Sequence, residues 1–308
     1  MNRYQDLWVQ KYSPKNLGDI ILSSENRDFF SKINEDTPHI LFYGNAGTGK
    51  TSLAKIIVND ILKCQYLYIN ASDENGVDTI RNKVISFSQT MSLDGKKKVI
   101  VLDEADGLST ESQRILRNVM EEYASTTRFI LTANYFNKII EPLHSRCLLF
   151  NIVPNLEDCV KRCCFILKSE NIKVDEEQKQ KLLQYINSNF PDIRRIINDL
   201  QRFSINGTLV IKNTDQTKNL AETIFSDLKN GNTPLEIRKT VISQERNFGS
   251  DYQQLLKEIF EIIYESDLSE DKKKTLMLEI GEHMYRDNFV LDHEINFFCC
   301  ILNIKKCF

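Results

Sequence analysis

The segment GNAGTGKT, at positions 44–51, has the spacing of a phosphate-binding loop, G-x-x-x-x-G-K-S/T. An apolar run, HILFYG, precedes it, and a segment of helical period, TSLAKIIVNDIL, follows it. In that context backbone N–H groups can line an anion site at a helix N-terminus, which disfavours the alternative of a glycine-rich turn beside a surface lysine. Lys50 is then expected to reach the outer phosphates, and the Thr51 hydroxyl to ligate Mg²⁺. The residues expected to hold a nucleotide here are Gly44, Asn45, Ala46, Gly47, Thr48, Gly49, Lys50, Thr51 and Ser52.

Two acids end the apolar run in VIVLDEAD, at positions 99–106. Asp103 can anchor Mg²⁺ while Glu104 orients the attacking water as a base. An acidic strand end is commonly structural, but beside a phosphate loop it supplies the two groups that hydrolysis needs. Asn134 ends the run RFILTAN and is expected at the same sheet edge, with a plain loop cap as its alternative. Lys50, Glu104 and Asn134 are therefore candidate catalytic residues for ATP hydrolysis.

The elements that must position these residues alternate up to about residue 152. Short apolar runs, rich in β-branched and aromatic residues, occur at 39–44, 65–72, 97–106 and 128–134, with helical periods between them. Strands of this kind predict an α/β domain with a parallel sheet covered on both faces.

Beyond Pro154 the strand pattern disappears. Three short helices are expected near 157–169, 175–189 and 193–204, and NGTLVIKNTDQT (206–217) is the best candidate for a linker. Further helical periods follow, one of them opened by a capping box that pairs Thr233 with Glu236. The pattern predicts three domains, at 1–152, 153–206 and 207–308.

Composition limits the function classes. Formal net charge is −3 over 308 residues, so no overall positive field indicates nucleic acid, and DNA contact would need a local basic surface. The eight cysteines form no C-x-x-C pair, which favours free thiols in a reducing compartment over a zinc site. The opening residues lack the apolar core of a signal peptide, and no apolar run is long enough to span a bilayer. We therefore expect no membrane association.

Taken in order, these motifs resemble the clamp-loader branch of the AAA+ ATPases, which includes replication factor C small subunits and the T-even phage sliding-clamp-loader ATPase subunit. WVQKYSPKNLGDI (8–20) is similar to the W-V-E-K-Y-R-P opening of that family, and HSRC (144–147) contains its Ser-Arg-Cys motif. SDENGVDTIRNKV (72–84), TESQRILRNVME (110–121) and NFPDIRRIINDLQ (189–201) also match. Ser13 and Asn45 depart from the family pattern, which has arginine and proline there. NFPDIRR and the terminal block resemble the phage subunit more closely.

The resemblance implies a RecA-like ATPase domain, a helical lid and an all-helical collar for oligomerisation. It further implies ATP and Mg²⁺ as ligands, with Tyr12 and Pro14 beside adenine and Arg194 at the bound nucleotide. The implied partners are other loader subunits in a five-subunit spiral, a sliding clamp and primer–template DNA. A phage-encoded chain would act in the host cytoplasm, and a eukaryotic replication factor C subunit in the nucleus.

Arg146, in the Ser-Arg-Cys motif, is by resemblance an arginine finger that serves the ATP of an adjacent subunit. Its alternative is a local salt bridge to an acid such as Glu141. The resemblance also favours DNA contact by basic and polar residues near two helix starts, where spacing alone indicates a solvated face. These residues are Arg81 and Lys83 on one helix, and Gln113, Arg114 and Arg117 on the other.

Two other functions are compatible with a phosphate loop. One is a ring-shaped DNA motor of the branch-migration helicase type, which would normally carry a DNA-binding domain after the lid. The other is a non-catalytic assembly subunit that binds ATP structurally, which the intact Lys50, Asp103 and Glu104 disfavour. The sequence therefore favours a clamp-loader ATPase subunit.

Overall fold

A computed structural model describes residues 7–34, 36–74, 76–92, 95–204, 206–211 and 215–307. The chain divides into two compact units, Met1–Val210 and Ile211–Phe308. The division falls inside the segment 206–217, which the sequence indicated as a linker.

The first unit is built on a sheet of five parallel strands in the order β2-β3-β4-β1-β5. Their bounds are β1 His39–Tyr43, β2 Tyr66–Asn70, β3 Lys98–Asp103, β4 Thr127–Ala133 and β5 Cys147–Asn151. The first four confirm the predicted strands, while the edge strand β5 was not predicted. Because β3, β4 and β1 are neighbours, the residues that follow them meet at one edge of the sheet.

Both faces of this sheet are buried, as the continuous apolar runs predicted. Val99 and Val101 of β3 pack into one core cluster with Leu53 and Ile57. The alternate β3 residues Ile100 and Leu102 pack into a second cluster with Leu116. The alternation follows from the two-residue period of a strand. The sheet thus lies between two helical layers.

Several helices of this unit begin at residues whose side chains cap them. Asn155, Asp175 and Asp192 each accept a hydrogen bond from a backbone N–H in the first turn of the next helix. The three helices that follow these caps confirm the prediction for 157–204. π-helical segments, Ile57–Ile61 and Ile80–Ile85, continue α3 and α4. The helix bounds are α1 Trp8–Lys11, α2 Ser24–Ser31, α3 Lys50–Ile56, α4 Val77–Thr79, α5 Ser86–Gln89, α6 Thr110–Glu122, α7 Glu141–His144, α8 Leu156–Ser169, α9 Glu176–Asn189 and α10 Ile193–Phe203.

Every regular element described in the second unit is a helix. Thr233 and Glu236 form the predicted capping box, and the last helix lies in the block expected to be all-helical, although its own bounds were not predicted. Apolar side chains such as Leu255, Ile259 and Ile301 form the core. No helix in the described part of the chain combines the length and apolar character needed to cross a membrane. The bounds are α11 Asp215–Lys229, α12 Pro234–Ser243, α13 Glu245–Phe248, α14 Tyr252–Glu265, α15 Glu270–Arg286 and α16 His293–Lys305.

Candidate nucleotide-binding site

The phosphate loop joins β1 to α3 in a conformation that excludes a larger residue at Gly47. Gly47 has a φ of +75°, and a Cβ atom there would lie 1.9 Å from Oδ1 of Asp192. Lys50 is only 6% exposed, and its ammonium group donates to the carbonyls of Gly44 at 2.8 Å and Asn45 at 2.6 Å. Burial lowers the pKa of Lys50 to about 8, and the carboxylates of Asp106 and Asp103 oppose that shift. The loop therefore holds a largely desolvated cation beside its backbone.

Asp103, at the end of β3, accepts three hydroxyl hydrogen bonds. Its Oδ1 accepts from Thr51 Oγ1 at 2.7 Å and from Thr132 Oγ1 at 2.6 Å. Its Oδ2 accepts from the Tyr68 hydroxyl at 2.6 Å. Burial, with the hydrogen bond to Asp103, raises the pKa of Tyr68, so this hydroxyl stays protonated and donates. The structure thus brings together Thr51 and Asp103, the two residues predicted to bind metal.

The donor set at this point suits Mg²⁺. Thr51 donates its proton to Asp103, so the lone pairs of its own oxygen remain available to a cation. A hydroxyl and a carboxylate are hard oxygen ligands of the kind that Mg²⁺ takes, usually with waters and substrate phosphates completing its shell.

Glu104 adopts a left-handed backbone conformation, with φ of 54°, immediately after β3. Its N–H donates to Thr132 Oγ1 at 2.9 Å, and its carboxylate accepts from Ser72 Oγ at 2.5 Å. A non-glycine residue in this region is costly and is retained where the surroundings determine it. Thr132 and Ser72, which the sequence did not indicate, therefore help to fix the position of the candidate base.

Asn134 follows β4 at the same edge, as predicted. The backbone N–H groups of Asn134 and Tyr135 donate to Asp106 Oδ2, at 3.3 and 3.0 Å. The other oxygen, Asp106 Oδ1, is buried and has no hydrogen-bond partner within the described residues. Asp106 thus ties the turn after β3 to the turn after β4.

Lys50, Glu104 and Asn134 line one cleft of about 690 Å³, a volume within the range of small-molecule sites. The segment that follows α1 contributes Tyr12 and Pro14, and the helices after residue 155 contribute Arg162, Arg194 and Ile197. The Tyr12 hydroxyl donates to Glu170 at 2.6 Å, and the Tyr12 carbonyl accepts from Arg162 at 2.8 Å. The lining also includes the predicted residues Ala46, Gly47, Thr48, Gly49, Lys50, Thr51, Ser52, Glu104 and Asn134.

Two family models match consecutive segments of the chain, which lie almost entirely in the first unit. The family model described as "ATPase family associated with various cellular activities (AAA)" matches residues 40–155. The model described as "Sliding-clamp-loader large subunit, AAA+ ATPase lid domain" matches residues 155–211. Replication factor C small subunits are similar over nearly the whole chain. That of Sulfurisphaera tokodaii is 36% identical and covers 94% of this chain and 92% of its own length. That of Saccharolobus solfataricus is 37% identical and covers 94% and 91%.

The chain belongs to the replication factor C small-subunit family. It is accordingly an ATPase subunit of a sliding-clamp loader, as the sequence predicted, and the helicase alternative is not favoured. Another relative, from Haloarcula marismortui, is 31% identical over 92% of this chain and 90% of its own length. Because the relatives named here are replication factor C small subunits, the preference for a phage-type chain stays a prediction.

In this clamp-loader subunit Arg146 is not among the residues that line the described cleft. One of its terminal nitrogens donates to the Pro142 carbonyl at 2.7 Å, and the other forms an ion pair with Glu121 of α6. Its Nε is buried without a hydrogen-bond partner in the described residues. The alternative of a local salt bridge is therefore present in the structure, with Glu121 as the acid and not Glu141, which the sequence offered as an example.

The basic residues predicted to contact DNA occupy two separate elements of the clamp-loader subunit. Arg81 is exposed on the π-helical segment after α4, and Lys83 on the same segment pairs with Glu74. Arg114 and Arg117 of α6 line a groove of about 380 Å³ that Ile140 and Pro142 complete. These four positions stay candidates for phosphate contact.

Gln113 is different, and its assignment to DNA contact is wrong. The side chain is 2% exposed, and its amide donates to the carbonyls of Leu108 at 3.2 Å and Lys138 at 3.0 Å. Its oxygen accepts from the Ile140 N–H at 2.9 Å. An amide that is buried and bonded in this way cannot reach a phosphate. Gln113 instead holds the start of α6 against the segment that leads into α7.

Proposed function

We propose that this clamp-loader subunit binds ATP with Mg²⁺ at the carboxyl edge of its sheet and hydrolyses it during clamp loading. The observation that carries the proposal is the single cleft that contains Lys50, Thr51, Glu104 and Asn134, with Asp103 hydrogen-bonded to Thr51 behind it. A cation, a metal anchor and a base that converge on one space are the groups that phosphoryl transfer to water requires.

Each group has a distinct task in this proposal. Lys50 exchanges its bonds to the loop carbonyls for bonds to the outer phosphates, which are stronger because the acceptor is charged. Mg²⁺, when bound, neutralises charge on the phosphate oxygens. Glu104 orients the attacking water, and Asn134 is a polar contact on the same side of the cleft. Arg194 contacts the nucleotide, and Tyr12 and Pro14 border the adenine.

The second part of the proposal concerns assembly. Arg146 serves the ATP of the adjacent subunit, so that hydrolysis depends on correct contact between subunits. Its absence from the lining of its own cleft supports this assignment. In the assembly, Arg146 exchanges its ion pair with the half-exposed carboxylate of Glu121 for one with a phosphate of higher charge.

The proposed domains are the ATPase domain at 1–152, the lid at 153–206 and the collar at 207–308.

The proposed partners are further loader subunits in a five-subunit spiral, a sliding clamp and primer–template DNA. Arg81, Lys83, Arg114 and Arg117 track the phosphate backbone without reading bases. The proposed location is the compartment in which DNA is replicated, whether the host cytoplasm for a phage chain or the nucleus for a eukaryotic one.

The test measures ATPase rates of the assembled loader with clamp alone, with primed DNA alone and with both. We expect strong stimulation only when both are present. Stimulation by DNA alone would indicate a helicase-type motor, and no stimulation by either would indicate an assembly subunit.

Arg81→Glu combined with Arg114→Glu is expected to abolish the DNA-dependent part of the ATPase stimulation at low salt. Unchanged stimulation of that double variant would overturn the assignment of these arginines to DNA contact.

A further inference from the structure

Tyr68 lies in the second strand and contacts the predicted metal anchor. Its partner in the register with β3 is Val101, so Asp103 is the diagonal neighbour two residues further on. An aromatic side chain can reach a diagonal neighbour on the same face of a sheet. The Tyr68 hydroxyl makes that contact and donates to Asp103 Oδ2 at 2.6 Å.

This hydrogen bond has a specific place in the geometry of the carboxylate. An ionised carboxylate offers about four lone-pair positions. Thr51 and Thr132 occupy two of them on Oδ1, and Tyr68 occupies one on Oδ2. The position that remains lies on Oδ2, and no hydrogen bond within the described residues occupies it. Without Tyr68, hydrogen bonds from the described residues would hold only Oδ1 of Asp103, and the carboxylate could rotate so that Oδ2 changes position.

Packing in the hydrophobic core does not explain why a tyrosine occupies position 68. The side chain is 36% exposed and belongs to none of the described core clusters of the first unit. Its ring is held from outside, because the Lys55 ammonium lies 4.6 Å from the ring centroid. Lys55 belongs to α3, the helix that also carries Lys50 and Thr51. The ring is therefore fixed by the element that presents the phosphate-binding groups.

We propose that Tyr68 is a positioning residue, which turns Asp103 Oδ2 toward Mg²⁺ through its hydroxyl. The inference rests on the metal role proposed above for Asp103. Partners that orient metal ligands from the second shell typically account for about 10–100-fold in metal affinity or activity. The effect should therefore appear as a change in metal affinity that high metal concentration can overcome.

The chain offers a matched control two residues earlier. Tyr66 also belongs to β2, is also 36% exposed, and points to the same side of the sheet by strand periodicity. Its hydroxyl lies 3.4 Å from Asn59 Nδ2. Tyr66→Phe removes the same atom from the same strand without touching Asp103.

The experiment measures Mn²⁺ binding to the ADP-loaded loader by electron paramagnetic resonance, with Mn²⁺ as the probe for Mg²⁺. Tyr68→Phe should raise the Mn²⁺ dissociation constant about tenfold, while Tyr66→Phe leaves it unchanged. The Mg²⁺ concentration for half-maximal ATPase should rise by a similar factor, with kcat at saturating Mg²⁺ within about twofold. An unchanged dissociation constant in Tyr68→Phe overturns the proposal, as does a lower kcat at saturating Mg²⁺ with unchanged metal dependence.

Asp103→Asn separates this inference from the function on which it rests. If that variant binds Mn²⁺ as well as the unaltered chain, the metal role of Asp103 is itself wrong. If Asp103→Asn weakens Mn²⁺ binding and Tyr68→Phe does not, only the role of Tyr68 is wrong.

Discussion

The two ends of the central sheet both carry buried ionisable side chains, yet they differ in what those side chains face. At the carboxyl end, Lys50 and Glu104 line a cleft of about 690 Å³. At the amino end a cavity bordered by Arg128 and Phe129 has about 20 Å³, close to the space of one water. The same strands therefore end in an open polar site on one side and a closed one on the other.

The closed end satisfies its charges with backbone carbonyls and a threonine hydroxyl. The ammonium group of Lys98, which is 1% exposed, donates to the Phe87 carbonyl and, at 2.6 Å, to Thr90 Oγ1. Arg128 donates to the carbonyls of Thr37, at 2.9 Å, and Ala124. Burial of charge alone thus does not indicate function, since the amino end shows the same burial without space for a ligand. The informative feature is a buried charge that also borders a cleft.

The largest expected effect follows from removing the base at the open end. Glu104→Gln keeps the shape and the hydrogen bond to Ser72 but cannot act as a base. Steady-state ATPase should fall by about 10²–10⁴-fold, as is typical for loss of a general base. ATP affinity, measured by equilibrium binding, should change by less than about threefold because the phosphate contacts remain. Glu122→Gln, an exposed change at the end of α6, is the control. If Glu104→Gln keeps an ATPase rate within about tenfold of the unaltered protein, Glu104 is not the general base.

At the closed end the expected effect is on stability and depends on pH. Burial, with the positive charge of Arg128, lowers the pKa of His39 to about 4, while a hydrogen bond to Met120 opposes the shift. The neutral ring accepts from the Phe129 N–H at 3.1 Å. The unfolded chain therefore binds a proton more readily than the folded one, and stability should fall as pH drops from about 6.5 toward 4. This histidine accounts for roughly 3 kcal/mol over that interval.

His39→Asn tests the pH effect, because asparagine can accept the same hydrogen bond without titrating. Urea unfolding between pH 8 and 4 should show a shallower pH slope for the variant, by about one proton. The difference between the two proteins at pH 8 sets the baseline, since both side chains are neutral there. An unchanged slope would show that His39 does not titrate on unfolding. ATPase at pH 8 is expected to stay within about twofold, because His39 lies far from the cleft lining.

A smaller loss is expected when the buried lysine at this end becomes apolar. Lys98→Met keeps the unbranched stem but leaves the Phe87 carbonyl without its donor. The free energy of unfolding should fall by about 1–3 kcal/mol, the usual range for an unpaired buried polar group. ATPase and ATP affinity should remain within about twofold, in contrast with substitutions at the open end. Loss of ATPase without loss of stability would break the distinction between the two ends.

The parts of the fold that the sequence predicted are those with local signals. Continuous apolar runs marked β1 to β4, and the capping box of Thr233 and Glu236 marked a helix start. The strand β5 contains the apolar run CLLF, but four apolar residues do not distinguish a strand from other buried segments by periodicity, so this edge strand was not predicted. The last helix, α16, lies in a segment whose Phe, Cys and Ile residues show no clear polar face, so its bounds were not predicted within the helical block.

The site was predicted where chemistry follows a spacing, and missed where it depends on the register of strands. The loop residues and Asp103 follow from motifs. Tyr68, Ser72 and Thr132 meet the acids only because β2 and β4 flank β3, and a hydroxyl within a strand has no signature of its own. The prediction of DNA contact by Gln113 was wrong for a related reason. Its hydrogen bonds go to Lys138 and Ile140, which lie in a later segment that the periodicity of α6 cannot reveal.

The central claim is that one subunit completes the ATP site of the next through Arg146. The decisive measurement mixes two loader preparations, one carrying Arg146→Ala and the other Lys50→Ala, and follows ATPase with clamp and primed DNA. Each variant alone should be slower by about 10³-fold or more. Mixed assemblies should regain activity, because roughly a quarter of their head-to-tail interfaces pair an intact Lys50 with an intact Arg146. Mixed assemblies of normal size that recover no activity would contradict the claim.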